Sequence, residues 1–321
     1  AYATDTGALY VSHNGGWVIA NFGTGVKNYQ YAGVDINPLI HVDATNTNSL
    51  RTIDETTVGN MDTIHQWKDA SGRNDLVSEL THTPVLSADA INGKPGVYFG
   101  TTLQTEGSFY PSNGDAQISC QLTSRPKPNR TLKHVTCFAV CYIPSQKPWN
   151  DDTVYPSGTH SSNKLALPIV TTSGVYKNGS NSAWYLGYKR YNHTLDRYYV
   201  GSGGTYNYRN NYVDVGPTTQ SDEVRMSPKI LWATATYNDP DHRGIVYSGI
   251  NGGGRISLRT TSTVRHTPPD MTCVSVGMDN HNIVGEVLLC DQAMTGSELN
   301  KIGSYLSNKW NITWTNLPEF S

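Results

Sequence analysis

Strand-length apolar runs separated by polar stretches rich in Gly, Asn, Ser and Thr set the pattern of this chain. Val135–Ile143 is nearly continuous in apolar residues, as expected of a strand buried on both faces. Pro38–Asp43, Lys229–Tyr237, Gly244–Ile250, Cys273–Met278 and Gly285–Cys290 read as further strands. Asn14-Gly15, Asn92-Gly93 and Asn251-Gly252 each sit between such runs, and Asn-Gly is a strong hairpin signal because both residues tolerate positive φ. The first of these predicts an N-terminal hairpin, and residues 1–35 differ enough from the rest to be read as a separate attachment or oligomerisation segment. Residues 36–321 then form the main domain.

One stretch departs from strand periodicity. Leu299, Ile302, Leu306 and Trp310 recur at helical spacing, which predicts a helix over 295–310 with Lys301, Asn308 and Lys309 left to water. Thr295-Gly-Ser-Glu298 is a capping-box pattern, in which the Thr oxygen accepts from the N–H of Glu298 and the Glu carboxylate reaches back. A β-rich chain closing on one capped helix is a narrow class of all-β fold.

Composition narrows the partners. The net charge is −2 over 321 residues, and no basic run of the kind that binds nucleic acid is present. No apolar run approaches the ~20 residues of a membrane helix, so no membrane insertion is expected. No signal-peptide pattern opens the chain at Ala1. The five cysteines (Cys120, Cys137, Cys141, Cys273 and Cys290) lack metal-ligand spacing and are read as buried free thiols. Such thiols suit assembly in a reducing cytosol.

Candidate chemistry is sparse. A glycanase needs two carboxylates across the scissile bond. Asp54-Glu55 and Asp222-Glu223 are adjacent pairs whose side chains would point to opposite strand faces, so no enzyme is expected. Ten histidines form no ligand motif, and His41 reads as structural. Calcium is the cofactor these loops could take: Asp69, Asn74 and Asp75 place hard oxygens in one turn, although turn and cap roles explain the same residues. Twenty Tyr against five Phe favour aromatics with one wet edge. They crowd around Trp184, Tyr188, Arg190, Tyr191, Tyr206, Tyr208 and Arg209, where a sugar site, a subunit interface and half-buried strand faces all remain open.

Leu39-Ile-His-Val-Asp-Ala44, Gln66-Trp-Lys-Asp-Ala-Ser-Gly72, Ile91-Asn-Gly-Lys-Pro-Gly-Val-Tyr-Phe99 and the closing Gly285–Trp310 block, in that order, resemble the laminin-G-like, concanavalin-A-like jelly rolls of bacterial and phage proteins. The resemblance spans about residues 38–314 and implies a two-sheet antiparallel jelly-roll sandwich, with the terminal helix outside it. Ala3-Thr-Asp-Thr-Gly-Ala-Leu-Tyr-Val and Gly16-Trp17 resemble a recurring hairpin of tailed-phage fibre and virion proteins. Together they imply a structural virion component, assembled in the host cytoplasm, that binds other virion proteins or a host-surface glycan. A homo-oligomer is expected, with a trimer favoured. A capsid cement or head-fibre protein without a receptor role, and a free bacterial lectin or adhesin, are the alternatives.

Overall fold

The computed structural model describes residues 2–3, 9–13, 16–20, 29–78, 83–99, 120–125, 130–142, 166–172, 184–191, 195–202, 212–215, 227–238, 243–258, 269–277 and 282–320. It is an all-β antiparallel sandwich closed by one helix, α1 (Gly296–Trp310). An eight-stranded sheet runs in the order Val85–Ile91, Lys94–Phe99, Asn282–Cys290, His134–Tyr142, Lys229–Asn238, Arg243–Ile250, Gly253–Leu258, with Pro38–Asp43 also paired to Asn282–Cys290. A nine-stranded sheet runs Tyr212–Val215, Leu195–Ser202, Trp184–Tyr191, Ala166–Thr171, Ser275–Gly277, Gln121–Ser124, Leu76–Val77, Gln66–Trp67, Leu50–Arg51. Among the described residues, no helix is long and apolar enough to cross a membrane.

Over 135–141 the apolar run does line both faces of its sheet. Cys137, Ala139 and Cys141 join the core between the sheets, where Trp67, Trp184, Leu122 and Val276 of the other sheet meet them. Phe138 and Val140 point the other way, into a second cluster under α1. Successive strand side chains face opposite sides, so a strand covered twice has no polar positions to spare. The five cysteines are buried, and none forms a disulfide.

Two of the turns follow their dipeptides. Asn92 and Gly93 have φ of 50° and 77°, and Asn251 and Gly252 of 53° and 86°, the conformation that closes a two-residue hairpin without splaying its strands. At the N-terminus, Leu9–His13 pairs with Gly16–Ala20 and also with Tyr2–Ala3, so the expected hairpin is a three-stranded sheet. Residues 14 and 15 lie outside the described set. A further hairpin, Tyr29–Tyr31 with Val34–Ile36, places Tyr31, Val34 and Ile36 in the cluster beneath α1.

The helix begins as its capping box dictates. Thr295 Oγ1 accepts from the Glu298 N–H at 3.3 Å, and Glu298 Oε2 accepts from the Thr295 N–H at 2.8 Å. Leu299, Ile302, Leu306 and Trp310 are all buried. Gly285 makes the last of these contacts possible. The register between Asn282–Cys290 and His134–Tyr142 slips at this residue, and a Cβ there would lie 2.6 Å from the Trp310 ring. Lys301 and Asn308 are exposed as expected. Lys309 is not left to water: its side chain is only 17% exposed, because two carboxylates hold it against the sheet.

Truncating a fully buried helix residue leaves a cavity, whereas an exposed one loses little. Leu306→Ala is expected to destabilise the protein by about 2–5 kcal/mol, and Lys301→Ala by no more than about 0.5 kcal/mol. Denaturant melts of the two variants compare them directly.

Candidate functional site

The densest polar cluster lies between α1 and the eight-stranded sheet. Its centre is Glu286, the sole acid within Asn282–Cys290, a strand whose nine residues are all buried. Alternation about the Gly285 bulge turns Glu286 toward the helix together with Leu288 and Cys290. Four donors surround its carboxylate. Oε1 accepts from Tyr31 Oη at 2.5 Å and from His41 Nε2 at 2.9 Å. Oε2 accepts from Lys309 Nζ at 2.8 Å and from Trp310 Nε1 at 2.7 Å. Lys309 Nζ also reaches Asp43 Oδ2 at 2.5 Å. An ionised carboxylate only accepts, so His41 must carry its proton on Nε2; in the neutral ring Nδ1 then accepts from Tyr29 Oη at 2.5 Å.

Electrostatics fix the protonation of four of these groups. Burial alone would raise the pKa of Glu286, but the His41 hydrogen bond and the Lys309 charge outweigh it and bring the pKa down to about 2. Burial, reinforced by Glu286, lifts the Tyr31 phenol far above its usual range. Tyr29 is pushed up to about 12 by burial and by the Asp69 and Glu286 charges. Burial opposes the charge on Lys309, yet Glu286 and Asp43 prevail and its pKa rises. At neutral pH the Glu286 anion is therefore clamped by the Lys309 cation and the uncharged Tyr31 and Trp310, with His41 as the fourth donor. None of Glu286, Tyr29, Tyr31 and Lys309 is poised to exchange a proton near neutrality, and the arrangement suits holding elements together.

The turn expected to take calcium is organised differently. Asp69 is buried, and its carboxylate accepts from five donors: the His41 and Ser71 N–H groups through Oδ1, and Ser71 Oγ and the Arg73 and Asn74 N–H groups through Oδ2, at 2.6–3.0 Å. Asp75 accepts from the Asp69 N–H at 2.9 Å and from Gln66 Nε2 at 3.2 Å. Asn74 donates its Nδ2 to Leu39 O at 2.6 Å. A calcium site needs six or more oxygens converging with free lone pairs. Here Asp69 and Asp75 turn their oxygens to N–H and O–H donors and Asn74 turns its nitrogen inward, so the three residues template a loop and do not form a ligand set. Among the described residues no group of three or more His, Cys, Asp or Glu side chains is placed to hold a metal ion.

Of the aromatic candidates, Trp184 is corrected. Its side chain is fully buried between the sheets, at 0% exposure, because Trp184 and Leu186 alternate into the core; it offers no face for a sugar to stack on. Tyr188, Arg190 and Tyr191 lie in the Trp184–Tyr191 strand, in register with Tyr198, Asp196 and Leu195 of the adjacent strand. Tyr206, Tyr208 and Arg209 lie outside the described residues. The structure thus brings part of the Tyr-rich region together, as the three strands at one end of the nine-stranded sheet.

Sequence reasoning missed the Glu286 cluster. Its signal was present: a single acid inside an otherwise apolar strand, and a lysine beside the last tryptophan of an apolar helical stripe. Pairing them required the fold, since Tyr31 lies 255 residues from Glu286 in the chain.

No family model and no curated protein matches the sequence. Among solved structures, a GH54 α-L-arabinofuranosidase soaked with a cyclic sulfate inhibitor is 10% identical over 86% of this chain and 63% of its own, with a TM-score of 0.45. Trypanosoma rangeli sialidase in complex with sialic acid is 14% identical over 88% of this chain and 35% of its own, with a TM-score of 0.41. The binding domain of botulinum neurotoxin DC in complex with SialylT is 12% identical over 84% of this chain and 51% of its own, with a TM-score of 0.42. The chain thus spans from about a third to under two thirds of these structures. Enzymes and a binding domain stand side by side among them, and at this distance the likeness transfers no activity.

The Glu286 cluster yields a pH dependence. The folded-state pKa is lowered from 4.5 to about 2, so its stabilisation is fully present above pH 4.5 and is lost as pH falls toward 2. The loss is expected to be on the order of 3 kcal/mol. Glu286→Gln removes the anion and should flatten this acid limb in denaturant titrations at several pH values.

Proposed function

We propose that this chain is a non-enzymatic structural component of a tailed-phage virion, a fibre, spike or surface-decoration protein whose sandwich recognises host glycans or neighbouring virion proteins. The observation that carries this reading is the ordered set of sequence blocks at 39–44, 66–72, 91–99 and 285–310. These blocks resemble the jelly rolls of phage and bacterial surface proteins, and they fold here into strands, turns and a closing helix of one sandwich. The recognition surface we assign is the Tyr-rich end of the nine-stranded sheet, built from Trp184–Tyr191, Leu195–Ser202 and Tyr212–Val215. The sequence there is rich in Tyr and Arg, the residue types that supply large amphipathic contacts at protein and sugar interfaces. Five buried free thiols suit assembly in a reducing host cytoplasm before release in the particle.

Binding of the chain to a glycan array and to particles lacking it tests the proposal. Specific glycan binding should weaken about tenfold or more, 1.4 kcal/mol, in Arg190→Ala and Tyr191→Ala, with unchanged melting temperatures. Binding to particles without glycan binding selects the packing role. Binding to neither overturns the virion reading.

A further inference from the structure

Two neighbouring rows of residues cross the nine-stranded sheet. Leu122, Val276, Val170, Leu186 and Val200 stand opposite one another on five successive strands, and all enter the core between the sheets. One residue along each strand, Thr123, Ser275, Thr171, Tyr185 and Gly201 are opposed in the same way. Side chains alternate along a strand, so this second row lies on the face turned away from the core. Directly opposed residues on one face are close enough to act together.

The outer row is neither apolar nor charged. Three hydroxyl residues lead to one aromatic ring and then to a glycine. The outer face of an antiparallel sheet commonly meets water. Here Thr123 is only 4% exposed, and Ser275 and Thr171 are both at 0%. Thr123 Oγ1 and Ser275 Oγ bond each other at 3.0 Å. Thr171 Oγ1 is buried and has no hydrogen-bond partner. The next residue shows the contrast: Thr172 Oγ1 accepts from the Trp184 N–H at 2.9 Å and donates to Asp270 O at 2.9 Å. A hydroxyl withdrawn from water and left unpaired costs stability, so folding alone does not account for Thr171. Tyr185, opposite Thr171, is half-buried. On its other side stands Gly201, which has no side chain to place beside the Tyr185 ring. A glycine inside a strand weakens it, and often marks the close approach of a ligand.

We propose that this outer row is the sugar subsite of the Tyr-rich surface, and that it takes a neutral sugar. The apolar face of one sugar ring lies against Tyr185 above Gly201, and a ring hydroxyl pairs with Thr171 Oγ1. Thr171 and Gly201 are two strand spacings apart, about 10 Å, so one ring against Tyr185 reaches both. The chemistry matches at each end. An aromatic ring offers an apolar face with one wet edge, and a Thr hydroxyl both donates and accepts, as sugar hydroxyls do. None of the five residue types in the row carries a charge at neutral pH, so nothing in it pairs with the carboxylate of an acidic sugar. The inference rests on the glycan reading above and gives that reading a sugar class.

Arrays printed with neutral oligosaccharides and with sialylated or uronic ones test it, probed with the full chain and two variants. The unmodified chain should bind neutral sugars, and equally well at low and high salt. Thr171→Val keeps the β-branched shape and removes the hydroxyl. Its binding should fall about tenfold while its melting temperature stays the same or rises, because the lost hydroxyl had no partner within the fold. Gly201→Val fills the space beside Tyr185 and should abolish binding. Lower stability of Thr171→Val with unchanged binding makes the hydroxyl structural and overturns the subsite. Binding confined to acidic sugars overturns it too. If both variants bind glycans as the unmodified chain does, the subsite falls and the glycan reading stands; if the chain binds no glycan, both fall.

Discussion

A single buried carboxylate joins three regions of the chain that share no sequence neighbourhood. Glu286 belongs to the sheet, Tyr31 to the hairpin before it, and Lys309 and Trp310 to the helix after it. Removing a charge from water is expensive, and only well-placed partners offset that cost. With four donors on two oxygens the anion is satisfied, but only while hairpin and helix both remain docked. Loss of either would strand a charge at 2% exposure, so the cluster ties the docking of each element to the other.

The apolar contacts around it supply the larger share of the binding energy but little direction. Leu299, Ile302 and Leu306 could slide along a flat apolar face, since burial is not directional. The indole of Trp310, seated over Gly285 and bonded to Glu286, cannot. Apolar packing therefore drives the helix onto the sheet, and polar pairing sets its position there.

The features legible in the sequence were those fixed by near neighbours. The capping box at Thr295–Glu298 and the turns at Asn92-Gly93 and Asn251-Gly252 each depend on residues a few positions apart, and each is found as read. The double burial of the strand over 135–141 follows from its nearly continuous apolar character. Misreadings arose where one residue type serves two ends. Asp69 has the oxygens calcium would use, but the same oxygens accept backbone N–H groups. Trp184 sits in a polar, Tyr-rich stretch as a sugar platform would, yet its position in the alternation sends it inward. Lys309 has a lysine's usual claim on water, and only the fold brings Asp43 and Glu286 to it.

The pairing of Pro38–Asp43 with Asn282–Cys290 has a mechanical side. The first and last strands of the sandwich are antiparallel neighbours, with Pro38 opposite Cys290 and Asp43 opposite Glu286. A load drawn through the chain before Tyr29 and after Phe320 would pull on Pro38 and Cys290, at one end of that ladder. Its hydrogen bonds would then give way singly and in succession, the weak mode of a β pair. The hairpin and helix that continue from those same ends meet again at Glu286, so the load must first break a charge-assisted, largely buried knot. The fold thus protects a seam that would otherwise peel, a useful property in any protein pulled by its ends.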